Sequence, residues 1–172
     1  MIWKAERIAT QIHQGQIRKD GKTPYIEHPK EVARLLEGIG ITDSDIICAA
    51  WLHDTIEKGN ITQEFIEKEF NLEVARIVQI LSRNVSREEY NKRIKNADYA
   101  VKIVKLADTI HNCSTLHNKM PEKAIQNKLN DCKEIYLDVA REICPEFYNT
   151  LLESIKPWDK ENVIILAKKQ KS

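Results

Sequence analysis

Glycine and proline are scarce, five of each in 172 residues, which excludes a chain of short strands broken by frequent turns. Charge of one sign is missing as well. Lys+Arg number 27 against 26 Asp+Glu, a net charge of +1, so nothing draws the whole molecule toward nucleic acid or an anionic membrane. Any anion has to be held by a local cluster. The four cysteines, Cys48, Cys113, Cys132 and Cys144, include no C-x-x-C pair, and they read as reduced thiols of a cytosolic protein. No apolar run approaches the roughly 18 residues of a membrane span. The N-terminus carries Lys4, Glu6 and Arg7 where a signal peptide needs apolar residues. These absences predict a cytoplasmic protein with no membrane or nucleic-acid partner. They say nothing about oligomeric state.

What is present has helical spacing. Ile2, Ala5, Ile8, Ala9 and Ile12 form one stripe of a first helix that stops at Gly15. Residues 15–29 hold two glycines and two prolines without periodicity and predict a long ordered loop, of the kind that often carries function. Pro29 suits the first turn of a second helix, which leaves His28 in the extended conformation that a following proline favours. A third helix starts after Thr42 or Asp43 and runs into "AAWLHDTIEKGN" at 49–60. Thr62 or a neighbour, Asn71 and Ser86 are placed to start three more, the last through the capping-box pattern Ser86-x-x-Glu89. A central helix is expected over about 97–117, another over 121–143 and a further one from Pro145 to about 156. The length suits one domain with one core.

The ionisable groups raise the functional question. His53 and Asp54 follow Ala-Ala-Trp-Leu at the end of an apolar helix, where burying them is costly without a partner. Asp108, His111 and Asn112 share one helical face by their spacing. A His-Asp pair at a helix end also occurs where it merely satisfies backbone groups, so the dipeptide alone leaves both readings open.

Three blocks in order carry more. "IHQGQIRKDGKTPYIEHPKEVARLL", "AAWLHDTIEKGNIT" and "VKIVKLADTIHNCSTL" resemble the successive motifs of the HD-domain phosphohydrolases. More narrowly they resemble the hydrolase domain of RelA/SpoT homologues and the small stand-alone alarmone hydrolases. The resemblance runs from about Ala5 to Cys144. It implies an all-α fold, a single HD-domain helical bundle over 1–156 with a long functional loop after the first helix. The tail at 157–172, read from its residues alone, is expected to be a last helix packed on or extending that domain, with a strand-like run as the alternative. The resemblance further implies a divalent metal held by His28, His53, Asp54 and Asp108. The family's usual ion is Mn²⁺, and the donor set also suits iron or zinc.

The implied reaction is hydrolysis of guanosine-3′,5′-bis(diphosphate) at its 3′-pyrophosphate, giving GDP or GTP and pyrophosphate. Arg18 and Lys19 match a basic pair that faces the nucleotide, and Asn112 matches a substrate-contacting Asn. Lys128 falls near a basic position beside the phosphates. His111 is read as packing or hydrogen-bonding, and Tyr25, Trp51 and Leu106 as the dry wall of the site. Glu57 takes the position of a catalytic base. The family writes Glu-Asp there and this chain has Glu57-Lys58; Lys58 then either contacts a phosphate or is a solvated helix end. Thr109 and Ser114 stand where the family often has arginines. These departures keep two other readings open: a metal-dependent hydrolase of another nucleotide, and a catalytically silent nucleotide-binding regulatory module.

Overall fold

Residues 46–52 are all buried, a run with no exposed face. They belong to α3 (Ser44–Leu52), whose first turn is capped by Asp43, the carboxylate accepting the Asp45 amide at 2.8 Å. A helix buried all round needs neighbours on every side. In the computed structural model, which describes residues 1–59, 61–117 and 120–158, those neighbours include α1 (Ile2–Ile12), α2 (Glu27–Gly38), α6 (Leu72–Leu81) and α8 (Tyr99–Ser114). The second central helix, α8, packs against α2, α3, α6, α7 (Arg87–Lys95), α10 (Leu137–Ile143) and α11 (Pro145–Ile155). Short helices α4 (Thr55–Gly59) and α5 (Gln63–Glu69) and the longer α9 (Glu122–Asp131) complete an all-α bundle, with no strand among the described residues. No described helix is long and apolar enough to cross a membrane.

The predicted caps are in place. The side chains of Thr62, Asn71 and Ser86 accept the amides of Phe65, Val74 and Glu89. Asp98 caps α8 in the same way, so the central helix begins two residues after the expected start and ends three before the expected end. The expected helix over 121–143 is interrupted at residues 132–136 by a π-helical turn that buries Cys132 and Tyr136. Such a turn inserts one residue into the register without breaking the apolar pattern, and a period count does not detect it.

The loop after α1 ends earlier than expected. Gly15 and Gly21 take positive φ, and the Asp20 carboxylate accepts the amides of Lys22 at 3.0 Å and Thr23 at 2.9 Å. A single antiparallel bridge joins Ile17 to Pro24. α2 then starts at Glu27, so His28 is helical rather than extended, with its amide donating to Tyr25 O at 2.9 Å. The preference for extended backbone before proline yields here because Pro29 occupies the first turn, where no intrahelical acceptor awaits its missing N–H. The expected tail helix lies, beyond Trp158, outside the described residues; Trp158 itself packs against the core.

α4 crosses α1 closely at Gly59, where an added Cβ would lie 2.1 Å from Ile12 Cγ2. Ile12 is β-branched and stiff at χ1, so the clash cannot be relieved by a small torsion. Gly59→Ala therefore lowers unfolding free energy by about 1–3 kcal/mol in denaturant titration. Combining it with Ile12→Ala makes the two changes less costly than their sum; strict additivity would disprove the close approach.

Candidate metal centre

His53 is placed by the end of α3, which stops at Leu52, and by a hydrogen bond from its Nδ1–H to Ala50 O at 2.7 Å. That bond fixes the tautomer, and the Nε2 lone pair of the neutral ring faces inward. There it meets His28 Nε2 at 3.1 Å, delivered by the first turn of α2. Asp108 Oδ1, from the middle of α8, lies 3.1 Å from His28 Nε2 and 3.8 Å from His53 Nε2. Asp54 Oδ2 lies 3.6 Å and 3.4 Å from the same two nitrogens. One nitrogen or oxygen each from His28, His53 and Asp108 falls within 4.8 Å of the others, and Asp54 joins them through both imidazoles.

His28, His53 and Asp108 suit a divalent cation, with Asp54 beside them as a candidate fourth ligand. Ligands about 2.1 Å from one ion stand about 3.0 Å apart at right angles and about 3.4 Å apart at tetrahedral corners. The observed separations run from 3.1 Å, just above the first value, to 3.8 Å, somewhat beyond the second. Two inward imidazoles and two carboxylates form a mixed nitrogen and oxygen set suited to a divalent transition ion.

The surroundings keep both carboxyls ionised. On His53 burial opposes charge, but Asp54 overcomes it and draws the ring toward its protonated form, and a bound cation would have to displace that proton. Burial, the largest influence, pushes both carboxyls up, but nearby charges overcome it and leave them well below the ordinary carboxylate range. For Asp54 the opposing groups are chiefly His53, then Lys58 and His28. For Asp108 they are Lys105, then the hydrogen bond to His28 and the charge of His53. His28 Nδ1 and His111 Nδ1 are 2.6 Å apart and the rings stack at 4.9 Å. Burial, then His28 and Arg18, hold His111 down at about 4. A neutral His111 can accept the proton of His28 Nδ1, which turns the His28 Nε2 lone pair inward. His111 thus bonds to a donor and is not among the converging ones.

Above the four donors opens a cavity of about 580 Å³ lined by seven basic side chains, Arg18, Lys19, Lys58, Arg83, Arg87, Lys105 and Lys128. Arg18 donates to Asn112 Oδ1 at 3.3 Å and Thr115 Oγ1 at 3.0 Å, and Asn112 donates to Asp108 Oδ1 at 2.5 Å. Lys128 lines the wall from α9, its ammonium held below the usual lysine value by burial. Glu57 also lines the cavity, its Oε2 accepting the Arg83 amide at 3.1 Å. Lys58 is not a free helix end: its Nζ lies 2.8 Å from Asp54 Oδ1 and 3.7 Å from Glu57 Oε1. Neither Thr109 nor Ser114 supplies charge. Their hydroxyls donate to the Lys105 and His111 carbonyls at 2.8 Å and 2.9 Å.

Three residues go beyond the sequence reading. Tyr25, expected as wall, turns its hydroxyl to Asp54 Oδ2 in a short hydrogen bond. Lys105 reaches Asp108 Oδ2 at 2.8 Å, a contact foreshadowed only by i,i+3 spacing. Arg87 grips Asp131 with contacts of 2.8–3.1 Å and sets the far wall.

A bundle that brings two imidazoles and two carboxylates together beneath a cavity lined by seven basic and six acidic side chains defines a class, and the HD-domain family model matches residues 5–142. The chain belongs to that family. Among its relatives, the Xenopus tropicalis protein named guanosine-3′,5′-bis(diphosphate) 3′-pyrophosphohydrolase MESH1 is 40% identical over 131 residues, covering 71% of this chain and 73% of that one. The Homo sapiens protein of the same name is 33% identical over 138 residues, 76% and 77% of the two chains. A solved structure described as a metazoan orthologue of SpoT that hydrolyses ppGpp superposes with TM-score 0.79, covering 92% of this chain and 95% of that one, at 23% identity. At that identity the superposition speaks for the fold.

Tyr25→Phe removes the hydroxyl from Asp54 and keeps the ring. Hydrogen bonds to charged groups contribute about 1.5–3 kcal/mol, so the metal-free variant unfolds at correspondingly lower denaturant. An unchanged midpoint would show that the hydroxyl does not hold Asp54.

Proposed function

We propose that this chain is a divalent-metal-dependent hydrolase that removes the 3′-pyrophosphate of guanosine-3′,5′-bis(diphosphate) or its pentaphosphate form, releasing pyrophosphate with GDP or GTP. The observation that carries the reading is the juxtaposition of four metal-competent donors with a cavity lined by seven basic side chains. The relatives' names point to the guanine nucleotide.

His28, His53, Asp54 and Asp108 would hold the ion, and Mn²⁺ is the ion proposed for this nitrogen and oxygen set. When bound, a divalent ion acidifies coordinated water and neutralises charge on phosphoryl oxygens. The remaining work falls to the protein. Arg18 carries a planar fork suited to two phosphate oxygens, and its present partners, Asn112 and Thr115, are exchangeable for them. Lys19 and Lys128 add charge on two sides of the cavity. Asn112 holds Asp108 and faces substrate. Glu57 accepts the proton of the attacking water while Lys58 presents an ammonium beside it to a phosphoryl oxygen. Water oxygen joins phosphorus as its proton passes to Glu57, the bond from phosphorus to the 3′ oxygen breaks, and that oxygen takes up a proton from solvent.

The test is a nucleotide panel incubated with manganese-loaded protein. Pyrophosphate release from guanosine-3′,5′-bis(diphosphate) is expected, and Asp54→Ala loses bound manganese and lowers turnover by more than about 100-fold. Phosphate release from other nucleotides alone would overturn the substrate in favour of a different nucleotide hydrolase. Binding of metal and nucleotide without turnover of any phosphate ester would instead assign a regulatory module.

A further inference from the structure

The two carboxylates divide their oxygens in the same way. Asp54 turns Oδ2 toward both imidazoles and Oδ1 toward Lys58 Nζ, 2.8 Å away. Asp108 turns Oδ1 toward the imidazoles and Oδ2 toward Lys105 Nζ, also 2.8 Å away. The lysines arrive independently, one from α4 at i,i+4 and one from α8 at i,i+3. Aromatic faces hold both: Lys58 lies 5.2 Å from the Tyr25 ring centre, and Lys105 lies 5.2 Å and 5.6 Å from those of Tyr90 and Tyr136. Neither ammonium is loosely solvated, the side chains being 33% and 16% exposed.

We propose that Lys58 and Lys105 act as a matched pair of charge clamps, each occupying the outer oxygen of one carboxylate. They restrict it to a single inward oxygen and cancel its charge, so that a bound divalent ion keeps its positive charge for an anionic phosphate substrate. The proposal rests on the phosphohydrolase reading of the same centre. An oxygen paired with an ammonium at 2.8 Å is not free to chelate. Two carboxylates matched by two ammonium groups leave the donor set neutral, so the loaded centre carries the full charge of the ion. Removing a clamp makes the donor set anionic and frees a second oxygen. The ion is then held more tightly, while the field that attracts phosphate is weakened. Opposite effects on cation and anion are the signature of a clamp. A residue that only supports the fold would loosen both.

The decisive comparison uses Lys58→Gln, Lys58→Arg and the unaltered protein, because Lys58 is the more exposed of the two. Manganese is titrated calorimetrically into metal-free protein, and inorganic phosphate into manganese-loaded protein. Lys58→Gln binds manganese about 10-fold more tightly and phosphate about 10-fold more weakly, and Lys58→Arg restores both. Lys105→Gln, checked for folding by circular dichroism, shifts both affinities the same way. If it does not fold, Lys58→Gln and Lys58→Arg decide the matter. Unchanged or weakened manganese binding in Lys58→Gln overturns the clamp, as does tighter manganese binding with unaltered phosphate affinity. Neither titration needs a nucleotide or turnover. Failure of the guanosine assay with these shifts intact would therefore reject the substrate and leave the clamp standing.

Discussion

Asp54 and Asp108 approach the Nε2 atoms of His28 and His53 to within 3.1–3.8 Å inside the bundle, and the rest of the structure is arranged around that contact. Two carboxylates out of water are tolerated only when cations and hydrogen-bond donors stand close by. Each neighbouring element supplies some. α2 brings His28, the end of α3 brings His53, α4 brings Lys58, the loop after α1 brings Tyr25, and α8 brings Lys105 and Asn112. The central helices are buried for the same reason. Only a rigid apolar scaffold can hold groups that pull the local backbone toward solvent, and α3 and α8 form that scaffold.

The cavity above the contact reconciles a neutral protein with an anionic substrate class. Overall charge is +1, and this one space gathers seven basic side chains, of which Lys58, Lys105 and Arg87 are paired with Asp54, Asp108 and Asp131 and the others are left for an anion. Arginines are missing at Thr109 and Ser114, and Thr109 is in any case buried against the Lys105 carbonyl. Positive charge comes instead from Arg18 and Lys19 on the loop, Arg83 and Arg87 around the start of α7, and Lys128 on α9. Lys58, in place of the family's acid, adds one more cation to a centre whose carboxylates would otherwise dominate it.

Much of this was legible in the residues. Helix starts were readable because Asp43, Thr62, Asn71 and Ser86 are short polar side chains that satisfy an open amide, a local interaction that needs no tertiary context. The convergence of His28, His53 and Asp108 was readable because their motifs occur in order along the chain. Other features depend on tertiary contact. Local preference put His28 in extended backbone, but the loop supplies Pro24 and Tyr25 carbonyls to the amides of Glu27 and His28 and starts α2 early. Tyr25 looked like wall because only the fold turns its hydroxyl on Asp54. Lys105 became a buried partner of Asp108 beside the rings of Tyr90 on the preceding helix and Tyr136 on the π turn, which only the fold brings to it. The π turn at 132–136 keeps the apolar pattern on either side and so leaves no mark in the periodicity.

The central claim is that four named side chains form one divalent-metal site. Anomalous diffraction from crystals grown with manganese, recorded at the manganese edge, tests it most directly. The account predicts one dominant peak bounded by His28 Nε2, His53 Nε2, Asp54 Oδ2 and Asp108 Oδ1, with Lys58 and Lys105 still on the outer carboxylate oxygens. No peak there, or a peak coordinated by Glu57 in place of Asp54, would contradict it.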